Sequence, residues 1–248
     1  MEASSAALVE GRRAVAEALR AGRPLDKLYV LRQGEGLGAL VAQARAVDAV
    51  VIFCERAQLD AMSVTGAHHG VIASVAAWAY VTLEHILDIA RAKEEPPFLV
   101  VCDGVEDPGN LGAILRTAEA AGAHGLVVPK RRSAGLSSLT AKASSGAVEY
   151  LPVARVPGIP ALLRRLKEEN IWIYGAAAGG EDLFAADFSG GVALVFGSEG
   201  QGLSRLTAEQ CDFLLGIPMR GRVASLNVSA AAAVMMYAVV RSRLTGHP

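Results

Sequence analysis

Apolar runs and helical stripes alternate through the second part of the chain. Near-continuous apolar runs predict strands at residues 98–102, 126–128, 171–174, 192–196 and 213–217. Segments with helical periodicity predict helices at residues 111–121, 159–169 and 226–243. Strands of this character, separated by helices, are typical of a parallel sheet that is covered on both faces. We therefore predict an α/β domain over residues 98–248.

The first 77 residues have the pattern of a smaller α/β domain. Helices are predicted at residues 9–21 and 37–46, and strands at residues 27–31, 50–53 and 70–75. Residues 78–97 differ in character, with a short helical stripe, a charged run and then Pro96 and Pro97. Because prolines stop a helix, we interpret residues 78–97 as a linker between a domain of residues 1–77 and the second domain.

Composition narrows the class of protein. The chain has 248 residues, 52% of them hydrophobic, which is enough for a substantial core. The net charge is −1, so basic residues are not in excess over the chain as a whole, and any RNA site has to come from local clusters of them. The three cysteines favour a reducing compartment, and neither they nor the five histidines have metal-ligand spacing, so no metal is expected. No secretory signal or membrane-spanning segment is evident, so we expect a cytoplasmic protein without a membrane partner.

Three polar, glycine-rich segments adjoin predicted strands. They are residues 103–125 (DGVEDPGNLGAILRTAEAAGAHG), 194–206 (LVFGSEGQGLSRL) and 217–230 (IPMRGRVASLNVSA). In open α/β sheets, ligands bind beyond the carboxyl ends of the strands, and helix N-termini hold polar or anionic ligand atoms. The same residues also suit ordinary roles. Asn110 and Ser225 fit the position of a helix N-cap, whereas Arg116 and Glu199 fit positions in solvent.

In order and spacing, the three segments resemble the signature motifs of the SpoU/TrmH family (SPOUT superfamily) of RNA ribose 2′-O-methyltransferases. The resemblance implies a C-terminal parallel-sheet domain with a deep trefoil knot, S-adenosylmethionine as the cofactor, and a homodimer with composite active sites. The catalytic residues of the family match Asn110, Arg116, Glu199, Ser225 and Asn227. The cofactor contacts of the family, made largely by backbone atoms, match Phe196, Gly197, Gly200, Ile217, Met219 and Leu226.

The first domain resembles the family's N-terminal RNA-binding domain, a small α/β fold related to ribosomal proteins. Residues 9–15 (VEGRRAV) and 69–73 (HGVIA) carry this match. Arg12 and Arg13 are the candidate RNA contacts there, although a charge pair at the start of a helix is equally ordinary. In the second domain, basic side chains follow a predicted strand at the same edge of the sheet as the three motif segments. We expect them to contact phosphates; the alternative is that they belong to an ordinary loop in solvent. These residues are Lys130, Arg131 and Arg132.

The resemblance also bears on the substrate. Residues 127–134 and 166–173 are most similar to bacterial enzymes that methylate a guanosine ribose in the peptidyl-transferase region of 23S rRNA. Relatives on the same scaffold methylate a tRNA guanosine, or another rRNA site and so confer antibiotic resistance. The tRNA enzymes lack this N-terminal domain, which favours rRNA. Fold and chemistry alone leave the choice open.

Two further classes of protein have to be weighed. Gly34, Gly36 and Ala39 fit the pattern G-x-G-x-x-A of a Rossmann-type oxidoreductase, but Asp48 follows too soon to be its ribose-binding acid. We interpret this segment as a surface turn. A non-catalytic RNA-binding protein is the other alternative. It is disfavoured because all five residues that match the active site are present together.

The implied reaction is in-line transfer of a methyl group to a ribose 2′-oxygen, which requires alignment, a route for the proton and little water. We expect Asn110, Ser225 and Asn227 to orient the ribose and the cofactor, and Glu199 to anchor polar groups. A guanidinium stays protonated in proteins, so Arg116 is a poor base. We expect Arg116 instead to hold the adjacent phosphate and to stabilise a developing alkoxide.

The replacement Arg116→Lys tests this role. Lysine keeps the positive charge but loses the planar fork with which arginine holds two phosphate oxygens. We therefore expect slower methyl transfer and an altered pH–rate profile, measured with labelled S-adenosylmethionine. A normal profile in this variant would count against an essential bidentate arginine.

Overall fold

The structure, a computed structural model, describes residues 7–245. These residues form two compact units. The first consists of the chain up to Ala79 together with the segment Gly135–Tyr150, and the second consists of Tyr80–Ala134 together with the chain from Leu151 onward. The chain therefore leaves the second unit once, contributes one segment to the first unit, and returns. The domain boundaries predicted from the sequence, at residues 77 and 98, did not include this contribution of a later segment to the first unit.

Strands and helices alternate along most of the described chain. The strands are β1 (Ala7–Glu10), β2 (Leu25–Leu31), β3 (Val50–Cys54), β4 (Val71–Val75), β5 (Phe98–Asp103), β6 (Gly125–Pro129), β7 (Val153–Val156), β8 (Ile171–Asp182), β9 (Gly191–Gly197) and β10 (Phe213–Gly216). The helices are α1 (Arg12–Arg20), α2 (Gly38–Ala46), α3 (Arg56–Met62), α4 (Leu83–Ala92), α5 (Pro108–Ala120), α6 (Ser138–Ala143), α7 (Ile159–Glu168), α8 (Arg205–Ala208) and α9 (Val228–Thr245). None of the helices within residues 7–245 has the length and apolar character to cross a membrane.

The first unit contains a four-stranded mixed sheet in the order β1-β4-β2-β3. Strand β4 pairs antiparallel with both β1 and β2, and β2 pairs parallel with β3 through the crossover helix α2. The helix predicted over residues 9–21 is wrong at its start, because Val9 and Glu10 pair with β4 and are buried. Gly34 and Gly36 lie in the turn between β2 and α2. A dinucleotide-binding fold is built from two mononucleotide-binding halves. The described part of this sheet has one β–α–β connection, so the oxidoreductase alternative gains no support.

The second unit contains a six-stranded sheet in the order β10-β8-β9-β5-β6-β7, and every neighbouring pair is parallel. The prediction of a parallel α/β sheet is confirmed. Helices α4 and α7 contribute Ile86, Leu87 and Leu163 to a core cluster with alternate residues of the central strands. Helices α5 and α9 pack against each other, and α9 contacts β9. The apolar runs thus become strands that are buried between two helical layers, as their composition requires.

Most of the segment predicted as a linker, from Tyr80 to Pro97, belongs to this second unit. Its helical stripe forms α4, and Ile86, Leu87 and Ala90 are buried. Val81 also forms a bridge with Ala154 of β7. The sequence pattern missed β7 because its four residues include an exposed arginine at position 155 and make only a short apolar run.

A buried carboxylate organises one loop of the first unit. Glu10 is 2% exposed and accepts hydrogen bonds from the Ser63 hydroxyl (2.5 Å), the Val64 N–H (2.7 Å), and both the N–H and the hydroxyl of Thr65. Burial acts to raise the pKa of Glu10, but these hydrogen bonds outweigh it and leave the pKa below its ordinary value. The ionised side chain thereby ties the loop after α3 to the end of β1.

This arrangement makes stability depend on pH. Because the folded pKa of Glu10 is lowered, its contribution is present above the ordinary pKa of 4.5 and is lost as the pH falls through the lowered value. We expect Glu10→Gln to lower the thermal unfolding temperature at neutral pH and to flatten its dependence on pH between about 5 and 3. Differential scanning fluorimetry measures both. The exposed Glu35→Gln variant is the control, and an unchanged pH dependence in Glu10→Gln would contradict the assignment.

Candidate active site

A cavity of about 750 Å³ lies beyond the carboxyl ends of β8 and β9 in the second unit. Its walls come from three separate segments of the chain, at residues 176–179, 196–203 and 214–228. The six residues expected to contact the cofactor all line it: Phe196, Gly197, Gly200, Ile217, Met219 and Leu226. The fold thus gathers the second and third motif segments around one space.

Backbone atoms form much of the wall at the end of β9. A Cβ atom on Gly197 would overlap the backbone of Gly202 and Leu203. The loop folds back because Ser198 and Gly202 exchange backbone hydrogen bonds of 3.0 and 2.9 Å. Since no side chain fits at position 197, only glycine lets the loop close against the end of β9, and Gly197 lines the cavity without a side chain.

A second wall was not predicted from the sequence. Strand β10 pairs with β8 at Tyr174 and then again at Glu181, so that residues 176–180 loop out between the two pairings. Residues 176–179 of this loop line the cavity. The predicted strand ended at residue 174. The run AAAGG at residues 176–180 is the feature of the sequence that could have indicated this wall. Small residues and glycines within a strand often mark a bulge or a close backbone approach.

Three motif segments meet in one hydrogen-bond network beside the cavity. The side-chain amide N–H of Asn110 donates to Glu199, and the amide N–H of Asn227 donates to the Asn110 Oδ1 (3.0 Å). The Asn227 Oδ1 in turn accepts from the N–H (2.8 Å) and the hydroxyl (2.7 Å) of Ser229. We refer to Glu199, Asn110, Asn227 and Ser229 as the asparagine network. It fixes the orientation of both amides, because each oxygen and each nitrogen has a different partner.

The helices α5 and α9 are capped by other residues than the sequence suggested. Asp107 caps α5, since its carboxylate accepts from the Asn110 N–H at 2.7 Å, and Asn227 caps α9 through Ser229. Asn110 is therefore not a cap, and its side chain is directed to Glu199 instead. Ser225 is also not a cap. It lies on an exposed loop and lines the cavity.

The structure does not bring Arg116 to the cavity of its own chain. Arg116 lies on α5, is exposed, and is not among the residues that line the space. The other four residues expected to be catalytic either line the cavity or belong to the asparagine network.

Thiol chemistry is unsuited to this region. Cys102, which precedes the end of β5, is fully buried, and burial together with Asp103 raises its pKa to about 12. Burial and Asp212 raise the pKa of Cys211 to about 11. Neither side chain is a thiolate at neutral pH, so neither is an activated nucleophile. Among residues 7–245, no group of three or more His, Cys, Asp and Glu side chains is arranged to hold a metal ion.

The residues expected to bind RNA lie on both units. Lys130 and Arg131 are exposed in the loop after β6. In the first unit, Arg12 and Arg13 line a cleft of about 840 Å³ together with Arg56 and Lys142. Sequence reasoning did not single out Arg56. Lys142 lies in this cleft because its segment, Gly135–Tyr150, belongs to the first unit, although the predicted boundaries placed it in the second domain.

The adjacent residues His68 and His69 have different surroundings. His68 is 6% exposed. Its Nδ1 accepts from the Gly70 N–H at 3.0 Å, and its Nε2 lies 2.9 Å from the Asp60 carboxylate. His68 therefore supports the loop internally, and only His69 is at the surface.

Two family models and a bacterial relative match most of the chain. A model described as the SpoU rRNA Methylase family matches residues 97–237, and one described as RNA 2′-O ribose methyltransferase substrate binding matches residues 8–81. YacO of Bacillus subtilis (strain 168), named for the TrmH family of tRNA/rRNA methyltransferases, is 46% identical over 238 residues, which are 95% of either chain.

Solved structures are similar over nearly the whole chain. The SpoU methyltransferase AviRb from Streptomyces viridochromogenes, in complex with AdoMet, is 29% identical with a TM-score of 0.83 and covers 97% of this chain and 91% of its own. An AdoMet-bound rRNA methyltransferase from Sinorhizobium meliloti is 26% identical with a TM-score of 0.77, over 95% of this chain and 87% of its own.

Matches of this extent define the class of protein as an RNA methyltransferase. The chain belongs to the SpoU family, as the order of its motifs implied. The second model, over the first unit, agrees with the expected transfer to a ribose 2′-oxygen. Family membership excludes the oxidoreductase alternative.

The glycine at the end of β9 provides a test of the cavity. Because a methyl group at position 197 would overlap the backbone of Gly202, we expect Gly197→Ala to weaken S-adenosylmethionine binding by at least tenfold, measured by isothermal titration calorimetry. Gly221→Ala is the matched control, since Gly221 is exposed and a Cβ there meets nothing within 4 Å. Unchanged affinity in a folded Gly197→Ala protein would mean that the cofactor lies elsewhere.

Proposed function

We propose that this enzyme methylates the ribose 2′-oxygen of a guanosine in the peptidyl-transferase region of 23S rRNA, with S-adenosylmethionine as the methyl donor. The observation that carries the proposal is the asparagine network beside the cavity. It joins all three motif segments at one point. We also propose a cytoplasmic location, because the substrate is ribosomal RNA.

The cavity fits the cofactor on two grounds. Its volume of about 750 Å³ suits a ligand of nucleoside size, and its lining mixes apolar side chains with glycines at positions 197 and 200. Phe196, Ile217, Met219 and Leu226 would hold the cofactor together with these glycines. Bound there, S-adenosylmethionine supplies an electrophilic methyl group on a sulfonium.

We further propose the deep trefoil knot that characterises the family. Two observations support it. Strand β10 pairs with β8 on both sides of the looped-out residues 176–180, and the loop after β9 closes tightly against Gly197. The two loops enclose a single cavity, as the family's knot does.

In this proposal the asparagine network orients the ribose. Each amide carries two N–H donors, and the network uses one from Asn110 and one from Asn227. The second donors and the Ser225 hydroxyl are then available to the hydroxyls of the ribose. Glu199 fixes the Asn110 amide and so sets the angle of approach of the 2′-oxygen. The proton leaves to the neighbouring phosphate or to water.

We propose that Arg116 of the partner subunit completes each active site in a homodimer. Arg116 is exposed on α5, away from the cavity of its own chain. Helix α9, which packs against α5, exposes Tyr237 and Leu244, at 49% and 82%, as apolar surface for a second copy. A guanidinium brought to the cavity in this way would hold the phosphate and stabilise the developing alkoxide.

The choice of rRNA over tRNA rests on the first unit. The matched substrate-binding model covers residues 8–81, and the cleft of that unit carries Arg12, Arg13, Arg56 and Lys142. A tRNA guanosine remains the second candidate, because YacO is named for both RNA classes.

Transfer of labelled methyl groups from S-adenosylmethionine to transcribed 23S rRNA fragments and to tRNA tests the proposal. We expect labelling of a peptidyl-transferase-region fragment, reduced about 10²–10³-fold in Asn110→Ala and in Arg116→Ala because each removes a group that acts on the reacting oxygen. Arg164→Ala, an exposed arginine on α7, is the control. Labelling of tRNA alone would overturn the rRNA substrate and keep the reaction.

Mixing the two inactive variants tests the composite site. If Arg116 acts in the partner's site, a mixed dimer of Asn110→Ala and Arg116→Ala contains one site with both residues intact. Activity should therefore return after the subunits are exchanged. Persistent inactivity of a verified mixed dimer would contradict the contribution in trans.

A further inference from the structure

Arg155 of β7 has an ordered side chain at the surface. Its Nη2 donates a hydrogen bond to the Lys130 carbonyl oxygen (3.0 Å), and its guanidinium lies over the Tyr80 ring, 5.2 Å from the ring centroid. All three residues belong to the second unit. Stacking and a hydrogen bond together restrain a side chain that otherwise samples many rotamers. The guanidinium is therefore in position before any ligand arrives.

The charge of Arg155 is oriented without being neutralised. Arg91, Arg165 and Arg205 of the same unit each form an ion pair with a carboxylate. In the part of the chain that the structure describes, Arg155 forms no such pair, and neither do the three basic residues of the loop after β6. A carbonyl oxygen and an aromatic face leave the full positive charge available to a ligand. We refer to Lys130, Arg131, Arg132 and Arg155 as the basic edge.

The basic edge lies along the same side of the sheet as the active site. Arg155 pairs with Val128 in the register of β7 and β6, and the Lys130 N–H donates to the Val156 carbonyl oxygen at 2.8 Å. Strand β6 is next to β5, whose carboxyl end leads to Asn110. With strands spaced about 4.8 Å apart, β7 is roughly 10 Å from β5. The basic edge is therefore within reach of an RNA strand whose ribose lies at the asparagine network.

We propose that the basic edge binds the RNA backbone next to the methylated nucleotide, with Arg155 as its ordered phosphate ligand. This inference rests on the proposed function, because it takes RNA as the substrate. The planar fork of arginine matches two oxygens of one phosphate, whereas the neighbouring lysine and arginines add mobile charge. Phosphate contacts set the position of a strand without reading its sequence. Arg155 is thus a positioning residue that aligns the 2′-oxygen with the cavity.

The salt dependence of RNA binding tests the proposal. The dissociation constant of a transcribed 23S rRNA fragment from the peptidyl-transferase region is measured by fluorescence anisotropy over a series of salt concentrations. We expect Arg155→Gln to weaken binding roughly tenfold and to lower the slope of log K against log salt by roughly 0.7–0.9, because one phosphate contact is lost. Arg155→Lys keeps the charge, so the slope should stay while the affinity falls. Arg164→Gln removes the same charge from the exposed face of α7 and should match the wild type.

Two results would overturn the proposal. One is a slope for Arg155→Gln equal to that of Arg164→Gln. The other is loss of the slope in Arg155→Lys as well, because a purely structural role would not distinguish lysine from glutamine. Unfolding temperature and S-adenosylmethionine affinity, unchanged in each variant, confirm that the fold is intact. A wild type that binds RNA with the expected slope but methylates none would contradict the proposed function and leave the basic edge supported.

Discussion

The contact between Gly197 and the backbone of Gly202 and Leu203 is the constraint on which the active site depends. It lets the loop after β9 fold back on the end of its own strand, where Gly197 lines the cavity. The same loop carries Glu199 to Asn110. One position without a side chain thus determines both the wall of the cavity and the placement of the only carboxylate in the asparagine network.

The asparagine network shows how ordinary helix capping serves the site. Asp107 satisfies the first turn of α5, which leaves the Asn110 side chain to bridge two loops. Asn227 caps α9 and bonds to Asn110 with the other end of the same amide. Because each amide is held at two atoms, the orientation of both side chains is set within the protein itself, and in the proposed mechanism little entropy has to be lost on alignment.

The basic side chains proposed to bind RNA are distributed over both units of a nearly neutral protein. The cleft of the first unit gathers four cations, one of them Lys142 from the segment that interrupts the second unit. The basic edge of the second unit holds four more, with Arg155 ordered by Tyr80. Local clusters of this kind contact phosphates even though the formal net charge of the chain is −1.

The sequence by itself determined the parallel sheet, most of its strands and the motif residues, because these follow from local periodicity and from short segments of fixed spacing. Tertiary structure alone decided that Val9 and Glu10 are in a strand, that residues 80–97 belong to the second unit, and that residues 176–179 form a wall of the cavity. It also decided that Asp107 and Asn227 cap the helices α5 and α9, and that Arg116 lies away from the cavity of its own chain. Each of these depends on pairing or packing between residues far apart in the chain, which no local pattern records.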